Sequence, residues 1–308
     1  MKAVLFAAGL GTRLYPHTLD KPKALVSIQG RPMLYRVMDK IYEAGIRKYL
    51  VNVHAFAPQV EKALETYAQS KPGISIEISD ERELLLETGG GLRKMEALLK
   101  DEPFLVHNVD VLSDINLKLF IEQSISLMST PYNLDLSFTQ IGEPVSKTRT
   151  EAETEAKTET KAKTETKTKT ETGAKTETKT KTKTKTQTET EAISNKQYPL
   201  AVLAVRNDFK DRCFLMNQYN LLCGWENRLS GEQKISRQQK GLHSVGFMGI
   251  HCISPSIFPL IQEEGVFSIT DVYLRLARQQ IILGLDQTSC RWLDIGSPEQ
   301  LLLAEEYF

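Results

Sequence analysis

From residue 2 to residue 138 the chain alternates short apolar runs with segments whose apolar residues recur at helical spacing. That alternation limits the fold more than any other feature. Residues 2–8 predict a buried strand. Residues 32–44 place Met33, Leu34, Val37, Met38 and Ile41 on one helical face and stop at Gly45, a residue suited to the left-handed turn after a helix. Strands follow at 49–53, 74–78, 104–107 and 134–138. Helices follow at 58–67, at 92–99 behind a glycine triplet, and at 117–128. Strands alternating with helices predict an α/β fold: a Rossmann-like mixed, mostly parallel sheet with helices on both faces.

The pattern then breaks. Residues 146–194 are almost wholly Thr, Lys, Glu and Ala, as in Lys161-Ala162-Lys163-Thr164-Glu165-Thr166. Without apolar anchors nothing offsets the entropy of ordering such a segment, so a disordered low-complexity insertion is expected. Folded patterning returns with a strand at 200–205 and a hairpin of 213–216 with 221–225. A long strand at 242–253 follows, in which Gly246 and Gly249 permit close backbone approach. Helices are expected at 255–261 and 269–279. A strand ends at Asp294, and a last helix spans 298–307 with Ser297 as N-cap and Pro298 in its first turn. Residues 1–145 and 195–308 are thus expected to form one domain interrupted by the repeat.

Of the 308 residues, 41% are hydrophobic, enough for one sizeable core. The formal net charge is zero, so nothing global favours nucleic acid or an anionic membrane, and an anionic substrate must be attracted locally. The four cysteines, Cys213, Cys223, Cys252 and Cys290, form no C-x-x-C pair and fit buried thiols in a reducing compartment. No apolar run reaches the length of a membrane span, and the stretch after Lys2 is too short for a signal-peptide core. A cytoplasmic location is expected.

The chemistry concentrates at the end of the first strand, in Ala7-Ala8-Gly9-Leu10-Gly11-Thr12-Arg13-Leu14, continuing to Pro22-Lys23-Ala24-Leu25. Open α/β sheets bind ligands at such strand ends. The glycines let backbone N–H groups approach phosphate oxygens, Arg13 can fork onto a phosphate, and Lys23 adds a compact positive charge. A dinucleotide fingerprint is excluded, because Leu14 stands at its third glycine and the second strand ends in Val53-His54 without an acid. No G-x-x-x-x-G-K-[ST] loop occurs either.

This segment resembles the signature loop of sugar-1-phosphate nucleotidyltransferases, L-A-A-G-x-G-T-R-L-x-P-x-T followed by P-K-P-L. Phe6 stands at the first position and Ala24 replaces a proline, while Pro16 and Thr18 are kept. The resemblance implies a GT-A-like nucleotidyltransferase fold and one Mg²⁺ held by two aspartates. Asp110 matches the first, in His107-Asn108-Val109-Asp110. Asp294 matches the second, in Trp292-Leu293-Asp294-Ile295-Gly296-Ser297. Mg²⁺ takes a few carboxylates together with substrate phosphates and water, which suits two converging acids. Glu87-Thr88-Gly89-Gly90-Gly91-Leu92 is similar to the E-T-G-G-G-I stretch of N-acetylmuramate-1-phosphate uridylyltransferases and some mannose-1-phosphate guanylyltransferases. An E-K-P motif of other branches is not evident.

The family's site maps onto this sequence residue by residue. Ala8, Gly9, Gly11, Thr12, Arg13, Lys23, Gly89, Gly90 and Asn108 are expected to bind nucleotide. Asp110 and Asp294 are expected to hold the metal, and Arg13, Lys23 and Asp110 to act in catalysis. Glu87, Trp225 and Gly249 are expected near the sugar. His17 and His54 lie close by and fit structural roles. The implied partners are a nucleoside triphosphate and a sugar 1-phosphate. The implied reaction is an in-line displacement: a sugar-phosphate oxygen attacks the α-phosphorus and pyrophosphate leaves. UTP with an N-acetylmuramate- or hexose-type 1-phosphate is the first expectation. A guanylyltransferase for mannose or heptose 1-phosphate, and a non-catalytic nucleotide-sugar-binding regulator, stay open beside it.

Overall fold

The computed structural model describes residues 1–133, 196–209 and 211–308. The strand expected at 134–138 and the insertion at 146–194 lie outside the described residues. In chain order the principal strands are β1 (Lys2–Phe6), β2 (Lys48–Val53), β3 (Ser75–Asp80), β4 (Phe104–Asn108), β5 (Val111–Ser113) and β6 (Ala201–Arg206). They continue as β7 (Arg212–Met216), β8 (Leu222–Asn227), β9 (Glu232–Ile235), β10 (His243–Ile253), β11 (Ile282–Asp286) and β12 (Trp292–Asp294). The helices are α1 (Met33–Glu43), α2 (Ala57–Ser70), α3 (Glu87–Lys94), α4 (Glu96–Leu99), α5 (Leu117–Met128), α6 (Ile269–Leu276) and α7 (Pro298–Tyr307).

Met1–Tyr132 and Tyr198–Phe308 together make one compact unit. Its sheet is mixed. One half is parallel, in the order β4-β1-β2-β3. Val4, Leu5, Leu50, Val51, Leu105 and Val106 are all buried because helices cover both faces, so these strands read as apolar runs. The other half is antiparallel and hinges on β10, whose length lets it serve three neighbours. Val245 pairs with Phe214 of β7, and Ile250 to Ile253 pair with His107 to Phe104 of β4. Ala201 to Leu203 of β6 pair with Ile253 to His251 on the other side. Strand β11 runs parallel to β6, and β8 and β9 extend the sheet beyond β7. A separate two-stranded ladder joins β5 to β12.

Several segments differ from the sequence expectation. The helix expected at 92–99 instead begins at Glu87, takes the glycine triplet into its first turns, breaks at Met95 and resumes as α4. Glycine is a poor helix former, but tertiary contact overrides that preference here. A Cβ on Gly89 would lie 2.4 Å from the Phe267 ring, and one on Gly90 2.3 Å from the Gly265 carbonyl oxygen. The helix at 255–261 is a 3₁₀ segment, Pro255–Leu260, because Pro259 sits inside it and cannot donate to an α-helical ladder. Strand β9 was not legible, since Glu-Gln-Lys-Ile has no buried face. The four cysteines are free thiols. No helix among the described residues is long and apolar enough to cross a membrane.

Candidate functional site

The glycine loop is anchored by a buried polar relay at the ends of β2 and β3. The Ala7 and Ala8 amides donate to Asn52 Oδ1 at 2.7 and 3.2 Å. Asn52 Nδ2 donates to Glu81 Oε1 at 3.0 Å, and the Leu86 amide donates to Glu81 Oε2 at 3.1 Å. Asn52 and Glu81 are both buried. The Ala8 amide is therefore committed to protein. Among the described residues no hydrogen bond engages the amides of Gly9, Leu10, Gly11 or Thr12. These are the donors free to meet an anion. Gly9 has open space where a side chain would begin, so its backbone can be approached closely.

The loop folds back through Gly11, whose φ is 66°. A Cβ there would lie 3.0 Å from Lys23 Cβ and 3.1 Å from Thr18 Cγ2, so the backbone conformation calls for glycine and the space beside it is tight. The buried Thr18 hydroxyl closes the bend by donating to the Gly11 carbonyl at 2.8 Å. Lys23 leads a 3₁₀ turn, Lys23–Leu25, and is itself nearly buried. Its Nζ meets Asp110 Oδ2 at 2.6 Å.

Asp110 occupies the turn between β4 and β5, and Asp294 closes β12. The β5–β12 ladder pairs Asp294 with Val111, and the Ile295 amide donates to the Asp110 carbonyl at 2.9 Å. Two acids 184 positions apart are thus fixed side by side (294 − 110). Burial raises the Asp294 carboxyl above its ordinary range, the Asp110 charge adds to the rise, and Lys23 and Arg13 oppose it. Arg13 reaches the same place: its Nη2 lies 3.3 Å from where a Cβ on Gly296 would stand. The loop, the Lys23 turn, the β4–β5 turn and the β12 end therefore converge.

Asn108 ends β4 beside Asp110 and faces β10. Gly249 has φ 73°, and a Cβ there would lie 2.8 Å from Asn108 Nδ2. The register between β6 and β10 shifts at this point, so Gly249 belongs to a bulge. The Trp292 indole steadies it by donating to the Met248 carbonyl at 3.0 Å. Trp225 lies on β8 and lines a cavity of about 350 Å³ with Phe214, Phe247, Thr270 and Asp271. The Lys234 ammonium sits 5.4 Å from the Trp225 ring centre.

Two amides of the glycine triplet are already engaged within the fold. The amides of Gly89 and Gly90 both donate to the Phe267 carbonyl, at 2.9 and 3.2 Å, so they have no free donor to offer a nucleotide. The triplet's visible task is to let α3 pack against the segment before α6. Glu87 is exposed with φ 59° and makes no contact that places it in the cluster. His54 is structural, its Nδ1 lying 2.7 Å from the Glu81 carbonyl oxygen. His17 lines a surface groove beside α7. Sequence reasoning missed Asn52 and Glu81. The available signal was a lone amide inside the apolar run Val51-Asn52-Val53, which a buried strand tolerates only when the amide is hydrogen-bonded.

Residues 2–134 match the family model described as nucleotidyl transferase. An N-acetylmuramate alpha-1-phosphate uridylyltransferase of Neisseria meningitidis serogroup B is 33% identical over 162 residues, covering 49% of this chain and 68% of that relative. The chain belongs to the sugar-1-phosphate nucleotidyltransferase family. A second family member with the same name, from Caulobacter vibrioides, is 44% identical over 108 residues, which is 35% of this chain and 45% of that relative. This chain therefore spans less than half of that relative's length in the match. The fold of the family also appears in the solved structure of a UDP-glucose pyrophosphorylase complexed with UDP-glucose, at a TM-score of 0.59 and 16% identity, covering 99% of this chain and 97% of that one.

Proposed function

We propose that this chain joins a nucleoside monophosphate to a sugar 1-phosphate and releases pyrophosphate, with Mg²⁺ as cofactor. UTP and an N-acetylmuramate- or hexose-type 1-phosphate are the preferred pair in this reading. The observation that carries it is the meeting of Arg13, Lys23, Asp110 and Asp294 beside a loop whose amides are free.

The residues present fit a divalent cation. Two carboxylates share one partly buried place, burial and then like charge hold the pKa of one of them up, and an ammonium already rests on the other. Among the described residues no group of three or more His, Cys, Asp or Glu gathers, so Asp110 and Asp294 would act with substrate phosphates, as Mg²⁺ prefers. Bound there, Mg²⁺ supplies charge neutralisation at the phosphates and a fixed template for their oxygens.

The chain's own groups do the rest by position. The Gly9 to Thr12 amides would cradle the triphosphate, and Arg13 would meet charge growing on the departing pyrophosphate. Lys23 would bridge phosphate and Asp110 near the reacting centre. The sugar-phosphate oxygen forms the new bond to the α-phosphorus as the α–β bridging bond breaks, and no protein nucleophile is needed. Gly249 keeps β10 close to Asn108 without a side chain, and the Trp225 cavity offers aromatic walls of the kind that bind sugar rings. Four free thiols, three of them buried and Cys290 half-buried, agree with a cytoplasmic setting.

A grid of UTP, GTP, CTP, ATP and dTTP against sugar 1-phosphates, read by pyrophosphate release with Mg²⁺, tests the reading. UTP with N-acetylmuramate 1-phosphate should be fastest. Turnover confined to GTP with mannose or heptose 1-phosphate would move the substrate assignment. Binding without turnover in every pair would turn the chain into a nucleotide-sugar-binding regulator.

A further inference from the structure

The cavity at Trp225, about 350 Å³, carries more charge than a neutral hexose needs. One wall is a face of the sheet. Phe214 of β7 is the register partner of Trp225 of β8, and Trp225 is the partner of Lys234 of β9, so all three side chains leave the same side. Arg212 stands two residues before Phe214 on β7 and shares that side. It is the diagonal neighbour of Trp225, a separation that a long side chain spans. Phe247 of β10 extends the aromatic surface, its ring centre 5.8 Å from that of Phe214. The other wall comes from the start of α6, with Thr270 and Asp271.

The two cations of this wall are little used within the protein. Arg212 is exposed, and its guanidinium has no ion pair or hydrogen bond among the described residues. By contrast, Arg206, Arg228 and Arg275 are each bonded to a carboxylate. Lys234 meets Glu232 only at 3.7 Å, with both side chains more than half exposed. Asp271 forms no ion pair with either cation among the described residues and is left to accept from sugar hydroxyls.

The cavity adjoins the proposed reacting centre. Phe247 precedes Gly249 by two residues on β10, and Gly249 lies against Asn108 beside Asp110. A sugar ring reaching from a phosphate at Asp110 and Asp294 across Phe247 would bring its far substituents over Trp225. An anion shared by Arg212 and Lys234 lies over β8, two strand spacings or about 10 Å from β10. The 1-phosphate, held at the aspartates, cannot be that anion.

We propose that this wall selects a sugar 1-phosphate bearing a carboxylate, with Arg212 reading the carboxylate and Lys234 adding supporting charge. The inference rests on the proposed transfer to a sugar 1-phosphate and narrows its substrate to an acidic sugar. A planar guanidinium forks onto a carboxylate, whereas a neutral hexose leaves it unused.

Isothermal titration calorimetry of the full chain tests this by comparing N-acetylmuramate 1-phosphate with its carboxamide, which keeps the shape and loses the charge. The acid should bind about tenfold tighter or more, as one charge-assisted pair supports. In Arg212→Met the two affinities should become nearly equal. Arg212→Lys should keep part of the preference, and Lys234→Met should reduce it by a smaller factor. Both positions are exposed, so the variants leave the core intact. Equal binding of acid and carboxamide, no binding of either, or a preference that survives Arg212→Met would overturn the assignment. Equal weakening of both ligands in Arg212→Met would put the guanidinium on the shared 1-phosphate and overturn it too. Affinities are read without turnover, so failure of the proposed reaction leaves them interpretable. Turnover of sugar 1-phosphates with no preference for the acid would leave the reaction standing and remove only this inference.

Discussion

Replacing Asn52 by leucine probes how the glycine loop is held. The side chain keeps its approximate volume and loses all three hydrogen bonds. Two buried amides, those of Ala7 and Ala8, lose their acceptor, and the buried Glu81 carboxylate loses a donor. A buried group left unpaired costs about 1–3 kcal/mol, and a hydrogen bond to a charged group is worth about 1.5–3 kcal/mol. Taking the low end of those ranges for each of the two amides and the one charged bond gives about 3.5 kcal/mol. That is a large share of an ordinary stability of about 5–15 kcal/mol. Urea unfolding followed by circular dichroism should show the midpoint falling while the slope stays constant. Asn52→Asp should keep the two amides satisfied yet set a carboxylate against Glu81, so its loss should also be substantial. A cost below about 1 kcal/mol for Asn52→Leu would mean that the relay does not hold the loop, and the reasoning would fail.

Other consequences can be checked independently. Lys23→Met removes the cation on Asp110 and should lower turnover by about 10²–10³, measured as pyrophosphate release, with little change in fold. Gly249→Ala forces a side chain into a left-handed backbone against Asn108. It should cost about 1–2 kcal/mol in backbone conformation, with further loss from overpacking, and should abolish turnover. Asp294 has a folded pKa above its unfolded value, so its ionised form opposes folding at neutral pH and the penalty fades as pH drops through the raised pKa. Asp294→Asn should therefore raise the metal-free melting temperature at pH 7 while eliminating turnover; a lower melting temperature would contradict the electrostatic account. For the same reason, protons should compete with Mg²⁺, and its apparent affinity should weaken on acidification.

The parallel half of the sheet was legible because strands buried on both faces leave continuous apolar runs, as in Ala3-Val4-Leu5 and Leu105-Val106. The last helix was legible because Ser297 and Pro298 mark its start. The α3 segment was not, since Gly89 and Gly90 make room for Phe267 and the Gly265 carbonyl some 175 residues away and Gly91 makes room for Glu81, contacts that local propensity cannot carry. The site divides similarly. Arg13, Lys23, Asp110 and Asp294 were named from motif chemistry, and the geometry assembles them. Asn52 and Glu81, which seat the loop, look like ordinary strand-end polar residues until their partners are known. The amides of Gly89 and Gly90 looked available in sequence and are occupied in the fold.

The most direct test of the proposed shared metal site is a Mn²⁺ titration read by electron paramagnetic resonance, with nucleoside triphosphate present. The account predicts one tightly held ion per chain in the native protein and its loss from the tight class in both Asp110→Asn and Asp294→Asn. Undiminished tight binding in either variant would contradict it.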